Sequence, residues 1–342
     1  MKIIIHGGYS KTGTTYLQNI VFSQISSVCY LGHSDGIFIN DEIRKEFRKV
    51  LLILPEWYSP KKGITEAPKN IESSRFYEAI IREILSHENE KIFLLSYENI
   101  VNRCYMDGKP NYIFIKEMIK YFKEQGIEAE CKIMMTVRNQ LSVLKSRYAF
   151  SYRFFKEHFN NFSDFLTYGS KHLNDALFGS YKYDEMLLAA REAFGEENVK
   201  FFIYEKLNEN PVAYIKEILD FIGTDENVEK FDYKAQLNVN SKGNINFLVE
   251  EKFDGNFMGS ILNKFKREYN KSIVLTEIIN NNAALRKSKD YIKSKLLSKR
   301  ISGEIDQISE SDVEKLQLMY CESNKKFERL TGYSLNSYGY YF

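Results

Sequence analysis

A short stretch near the N-terminus combines glycines, threonines and one lysine in the pattern of an anion-binding loop. It runs from Gly7 to Thr15, reads GGYSKTGTT, and follows the apolar residues Ile3–Ile5. A strand that ends in glycines and turns into a helix leaves several backbone N–H groups directed at one point, close to the positive end of the helix dipole. The stretch therefore predicts a phosphate or sulfate site formed by Ser10, Lys11, Thr12, Gly13, Thr14 and Thr15.

The lysine of this loop stands in an unusual place. In nucleotide-binding loops of the type Gly-x-x-x-x-Gly-Lys-Ser/Thr, the lysine directly follows the second glycine. Here Thr14 occupies that position, and Lys11 comes three residues earlier. A cation in the bend of the loop faces the 5′-phosphate end of a ligand. A P-loop kinase, the first alternative, would need a lysine at position 14 and an aspartate after a later strand for magnesium, and neither is evident.

A second candidate pair lies in the middle of the chain. Arg138 directly follows an apolar run, and Ser146 comes eight residues later inside a predicted helix over 141–150. An arginine at a strand end and a serine two turns into the next helix can converge on one phosphate. The guanidinium can donate two charge-assisted hydrogen bonds to the phosphate, and the hydroxyl can donate one more. The pair therefore predicts a second phosphate site.

The elements that must position these residues alternate along the chain. Short apolar runs, typical of buried parallel strands, are separated by segments with helical spacing. This alternation predicts an α/β fold with an open parallel sheet flanked by helices, in which ligands bind at the carboxyl ends of the strands. The predicted strands are Lys2–His6, Lys91–Ser96, Cys131–Val137 and Val199–Tyr204.

The pattern changes in the last third of the chain. Residues from about 244 to 310 read as polar helices without a strand, which predicts a helical insertion or cap within a single domain, 1–342. Its segment 264–300 holds eleven Lys and Arg residues against three acidic ones. Basic helices can rest on an anionic membrane or guide an acidic glycan, whereas the alternative is a solvated helix face. A final helix over 311–330 is predicted to end at Gly332.

The composition of the chain argues against a nucleic-acid-binding protein and against a protein that spans a membrane. The chain is 44% hydrophobic and 27% charged, and its net charge of +2 gives no sign of nucleic-acid binding. No leader is recognisable, and no apolar run is long enough to span a bilayer. These features predict a cytoplasmic protein, with peripheral contact at the inner face of the membrane through 264–300.

The two candidate sites resemble two motifs of one enzyme family. Residues 11–15, KTGTT, followed by 16–18, YLQ, resemble the 5′-phosphosulfate loop of sulfotransferases that use 3′-phosphoadenosine 5′-phosphosulfate (PAPS). Arg138-Asn139, with Ser146 eight positions after the arginine, resembles the 3′-phosphate motif of the same family. Gln140 departs from that motif, which usually has a proline there.

This resemblance to the sulfotransferases implies a P-loop-like sheet, PAPS as the sulfate donor and no metal. It also implies a bacterial carbohydrate-type enzyme of polysaccharide biosynthesis, whose acceptor is a hydroxyl of a glycan or glycolipid. Tyr204, in the stretch FIYEKL, would lie near the adenine, and Ser241 and Lys242 would belong to a late loop over the cofactor. The second alternative is a phosphonucleotide-binding protein without catalysis.

Sulfuryl transfer needs charge stabilisation and a general base. We assign Lys11 to the bridging oxygen that becomes negative as the bond breaks. Glu98 is the first candidate for the base, because it follows the second predicted strand at the same sheet edge as Lys11. Glu42 stands at about the distance from the loop at which glycan sulfotransferases place a glutamate, and His33 is the third candidate.

Overall fold

The computed structural model describes residues 1–9, 11–34, 37–38, 40, 42–43, 45–46, 74–87, 89–98, 100, 104–106, 108–150, 155, 158–233, 247–250, 300–303 and 308–342. The chain forms two compact units. The first comprises residues 1–147, 162–243 and 307–342, and the second comprises 148–161 and 244–306. The single domain of 1–342 predicted from the sequence stays a prediction.

The first unit contains a six-stranded sheet with the order β3-β2-β4-β1-β7-β8. Five of these strands are parallel, and the short edge strand β3 is antiparallel to β2. The strands are β1 Lys2–His6, β2 Cys29–Ser34, β3 Ile37–Phe38, β4 Ile92–Ser96, β7 Glu130–Val137 and β8 Val199–Ile203, and a separate two-stranded ribbon consists of β5 Tyr105–Met106 and β6 Lys109–Pro110.

The centre of the sheet is buried on both faces. Ile3, Ile4 and Ile5 of β1 are almost fully buried, which is what a strand covered by helices on both sides requires. β1 pairs with β4 and β7 in a register that places His6 beside Ser96 on one side and Met134 on the other. The predicted parallel sheet flanked by helices is confirmed, and the carboxyl ends of its central strands share one edge.

The helices follow the apolar spacing of the sequence. The last one begins with a capping box between Ser309 and Asp312 and ends at Gly332, whose left-handed φ of 71° confirms the predicted C-cap. The α-helices are α1 Thr14–Tyr16, α2 Ser74–Ser86, α3 Ile113–Glu124, α4 Gln140–Phe150, α5 Phe162–Lys171, α6 Ala176–Gly179, α7 Tyr183–Phe194, α8 Tyr204–Glu209, α9 Pro211–Ile222 and α10 Glu310–Thr331.

Two short strands lie where the sequence predicted none. β9 Phe247–Glu250 and β10 Arg300–Gly303 pair antiparallel in the second unit, with Arg300 opposite Glu250. The expectation of no strand between 244 and 310 is therefore wrong at both ends of that stretch. Strands of four residues among many polar residues carry too weak a periodicity to be recognised. Apart from residues 308–310, which lie at the start of α10, the rest of the predicted helical insertion is outside the described residues, as is the basic segment 264–300 apart from Arg300.

Within the described residues, no helix is both long enough and apolar enough to cross a bilayer.

Candidate active site

The loop after β1 has the geometry that its glycines and threonines predict. Its backbone takes a left-handed conformation at Lys11, with φ 71°, and at Gly13, with φ 77°, directly before α1. Gly8 lies so close to α1 that a Cβ there would stand 2.5 Å from Cγ2 of Thr14. The Thr12 hydroxyl donates a hydrogen bond to the carbonyl of Tyr9 at 2.5 Å, which closes the bend. Contacts within the loop thus contribute to its shape.

Arg138 joins this loop from the end of β7. Its guanidinium donates a hydrogen bond to the Lys11 carbonyl at 2.8 Å and lies 4.8 Å from the centre of the Tyr204 ring, a cation–π distance. Tyr204 also supports the loop directly, because a Cβ on Gly13 would meet its ring at 2.7 Å. The structure therefore brings Lys11, Gly13, Arg138 and Tyr204 together. Tyr204 is buried, its ring contacts the arginine and the loop, and its place near the adenine stays a prediction.

Glu98 reaches the same place from the end of β4. The hydroxyl of Thr14, at the first turn of α1, donates a hydrogen bond to its carboxylate. Of the acidic candidates for the general base, Glu98 is thus the one in contact with the loop. Glu42 instead forms an ion pair with Arg82 at 2.5 Å, in which both side chains are more than half exposed.

Of the other predicted site residues, some have a described position and others lie outside the described residues. Ser146 lies on α4, half-buried, two turns from its beginning, and Thr15 is exposed on α1. The side chain of His33, on β2, is outside the described residues. Ser10, Ser241 and Lys242 are also outside them. Among the described residues, no three His, Cys, Asp or Glu side chains group as metal ligands would.

A buried polar network lies where β1, β4 and β7 end, and no pattern in the sequence predicted it. His6, the last residue of β1, is bonded through Nδ1 to the Ser96 hydroxyl at 2.8 Å, and Nε2 lies 3.5 Å from the Thr136 hydroxyl. Gln18 of the helical segment after α1 donates to the same serine oxygen at 3.0 Å. The network ties the ends of β1, β4 and β7 to that segment. Ser96 lies two residues before Glu98, so the network adjoins both the loop after β1 and the carboxylate.

His6 gives the network a measurable pH dependence. Burial lowers the pKa of His6 from 6.5 to about 3, so the imidazole is neutral in the folded protein at neutral pH. Below pH 6.5 the unfolded chain binds a proton at this position and the folded chain does not. The free energy of unfolding should therefore decrease as the pH is lowered from 6.5 to 3, and His6 should contribute up to about 1.4 kcal/mol of this decrease per pH unit. In urea unfolding at pH 7 and pH 5, His6→Asn should lose less stability than the wild type; equal losses would show that His6 is not the cause.

The beginning of α4 shows how the chain manages without the proline of the family motif. Gln140 is fully buried, and its amide donates to Oδ1 of Asn324 at 2.7 Å and to the carbonyl of Tyr181 at 3.3 Å. Asn139 caps the helix by accepting the N–H of Ser142 at 3.1 Å. Hydrogen bonds therefore fix the start of the helix that carries Ser146, where a proline would have fixed it through its ring.

Comparison with known families shows the family of the chain. Residues 2–319 match the model of the sulfotransferase domain. The chain belongs to the sulfotransferase family. Membership confirms the family predicted from the Lys11 loop and the Arg138 motif. No curated protein matches the sequence significantly.

Solved structures that match this chain include sulfotransferases. The sulfotransferase from Alicyclobacillus acidocaldarius matches over 84% of this chain and 99% of its own, with 15% identity and a TM-score of 0.45. Mouse sulfotransferase SULT7A1 complexed with PAP matches over 86% of this chain and 88% of its own, with 20% identity and a TM-score of 0.33. Retinol dehydratase, in complex with androsterone and the inactive cofactor PAP, matches over 96% and 81%, with 13% identity and a TM-score of 0.34.

Proposed function

We propose that this sulfotransferase moves the sulfuryl group of PAPS to a hydroxyl of a glycan or glycolipid. One observation carries the proposal: Lys11, Glu98 and Arg138 come from three strand ends and meet at one loop, through the bond from Arg138 to the Lys11 carbonyl and the bond from Thr14 to Glu98. A cation can stabilise the leaving oxygen, a carboxylate can act as the general base, and a guanidinium can bind phosphate, so these groups together suit sulfuryl transfer.

In this proposal the loop and Arg138 bind the two phosphate groups of the donor. Backbone N–H groups of the loop, together with the side chains of Thr14 and Thr15, hold the 5′-phosphate. Arg138 and Ser146 hold the 3′-phosphate, and the ring of Tyr204 packs against the guanidinium and keeps it in place. Ser10, Thr12, Gly13, Ser241 and Lys242 are the remaining residues that we assign to the cofactor.

The transfer itself needs one charge and one proton acceptor. The acceptor oxygen forms a bond to sulfur while the bond from sulfur to the bridging phosphate oxygen breaks, and 3′-phosphoadenosine 5′-phosphate (PAP) leaves. Lys11 stabilises the negative charge on the bridging oxygen, and Glu98 takes the proton of the acceptor hydroxyl. Thr14 contacts Glu98 and lies in the phosphate loop. Its hydroxyl has one proton, which it donates to Glu98 in this structure and would donate to the 5′-phosphate when the donor binds, so it links donor binding to the position of the base. We propose that no metal takes part.

The acceptor is assigned on the family resemblance and on aromatic content. Rings stack on sugar faces, and the chain holds 24 tyrosines and 25 phenylalanines. A cytoplasmic location and a membrane contact through 264–300 are part of the same proposal, since a glycolipid acceptor would lie at a membrane surface.

The donor assignment is tested by calorimetric titration, in EDTA for the nucleotides without metal and in magnesium buffer for ATP. PAP should bind much more tightly than adenosine 5′-phosphate (AMP) and more tightly than ATP with magnesium, because only PAP offers a 3′-phosphate to Arg138 and Ser146. Arg138→Ala should remove most of the preference for PAP over AMP. Equal affinity of the wild type for PAP and AMP, or a need for magnesium, would exclude PAPS as the donor.

A further inference from the structure

The segment 338–342, which we call the tail segment, packs against the 3′-phosphate half of the proposed site. Tyr340 is buried, with 3% of its surface exposed. Its hydroxyl donates a hydrogen bond to Oε2 of Glu205 at 3.3 Å. The other oxygen of the same carboxylate accepts the backbone N–H of Asn139 at 2.9 Å. One carboxylate therefore connects the tail segment to the residue that follows Arg138.

Hydrogen bonds of Asn139 and Asn324 also connect the tail segment to the start of α4. The side-chain amide of Asn139 donates to the carbonyl of Gly339. Asn324, fully buried on α10, accepts from Gln140 at 2.7 Å and donates to the carbonyl of Tyr341 at 2.9 Å. The tail segment thus touches the first residues of α4 both directly and through α10. Arg138 immediately precedes these residues, and Ser146 lies on the helix that they begin.

The electrostatics of Glu205 explain why a hydroxyl is needed at this point. Burial raises the pKa of the carboxyl, whereas the Asn139 N–H, the nearby charge of Arg138 and the Tyr340 hydroxyl lower it. A buried carboxylate without enough donors is costly and shifts toward its protonated form. Burial outweighs these donors and the pKa of Glu205 is raised overall, so the Tyr340 hydroxyl is one of the few donors that help Glu205 to accept the Asn139 N–H.

We propose that Tyr340 and Glu205 are positioning residues for the 3′-phosphate: through Asn139 they fix Arg138 and the start of α4, and so they set the discrimination between PAP and nucleotides without a 3′-phosphate. This inference rests on the proposed donor. Neither residue is assigned contact with the cofactor, and each acts through the backbone at Asn139.

The test measures the dissociation constants of PAP and AMP for Tyr340→Phe, which loses the hydroxyl and keeps the ring. We expect PAP to bind roughly three- to tenfold more weakly, the scale of one net hydrogen bond, and AMP to bind unchanged, because AMP has no 3′-phosphate for Arg138 to bind. Tyr340→Leu, which also loses ring packing, should weaken PAP further. Tyr338→Phe is the matched control, since the Tyr338 hydroxyl donates to exposed Glu209 at 2.6 Å, and it should change neither constant.

The outcomes separate the inference from the proposed function. A wild type that does not prefer PAP over AMP would overturn the donor assignment itself. A wild type that does prefer PAP, with the same preference in both Tyr340 variants, would overturn the inference alone. Equal weakening of PAP and AMP in a variant would also overturn it, because that result would mean a general loss of structure, which thermal melting of each variant measures separately.

Discussion

Replacing Lys11 by alanine is expected to lower kcat about a hundredfold to a thousandfold, the usual cost of removing one group that stabilises transition-state charge. The contact with Arg138 uses the backbone carbonyl of Lys11, so it can persist in the variant. The left-handed φ of 71° is equally unfavourable for lysine and alanine, since both carry a Cβ. The substitution should therefore reduce turnover much more than PAP affinity, which steady-state kinetics and calorimetry would separate.

Lys120→Ala is the control for this experiment. Lys120 is an exposed lysine of α3, paired with Glu124 at 3.8 Å on the helix surface. Its removal should leave kcat unchanged, because exposed ion pairs of this kind contribute little. A folded Lys11→Ala protein with the kcat of the control would mean that Lys11 does not face the breaking bond.

Glu98→Gln is expected to lower kcat about a hundredfold to ten-thousandfold, the range that a positioned general base contributes. The glutamine oxygen can still accept the hydrogen bond from the Thr14 hydroxyl, so the arrangement of loop and strand end should survive. An amide cannot take the proton of the acceptor hydroxyl. PAP affinity should stay the same, and the loss should appear in transfer alone.

Glu42→Gln gives the comparison that assigns the base. It breaks the exposed ion pair with Arg82, which is worth little to stability, and transfer should stay near the wild-type rate. The reverse result, a slow Glu42→Gln enzyme beside an active Glu98→Gln enzyme, would move the base to Glu42. If both variants stay active, His33→Asn becomes the next substitution to measure.

The chemistry of the loop could be predicted from the sequence because it is local. Gly7 to Thr15 are consecutive, and the bend depends on glycines and on short polar side chains that bond within the loop. The approach of Arg138 and Glu98 to this loop could be predicted as well, since the carboxyl ends of parallel strands lie at one edge. The C-cap of α10 at Gly332 could be predicted because a glycine at that one position is enough to indicate it.

Contacts between distant residues could not be predicted in the same way. Ser96 lies 90 positions from His6 and 78 from Gln18, and no local pattern announces that they meet. β2, Cys29–Ser34, was missed because its sequence, CYLGHS, has only two large apolar residues that are buried in the described structure, Tyr30 and Leu31. Gln140 could be recognised as a departure from the motif, but its partner Asn324 lies 184 residues away.

The most direct test of the central claim is to follow the labelled sulfuryl group of PAPS in EDTA, with the purified protein, a pool of bacterial glycans and glycolipids, and a simple phenol as competing acceptor. We expect label on the glycan or glycolipid fraction, with release of PAP in equal amount, and loss of both in Lys11→Ala. Label on the phenol alone would contradict the assigned acceptor. No transfer from PAPS to any hydroxyl, by a protein that is folded and binds PAP, would contradict the assignment of this site as a sulfotransferase centre.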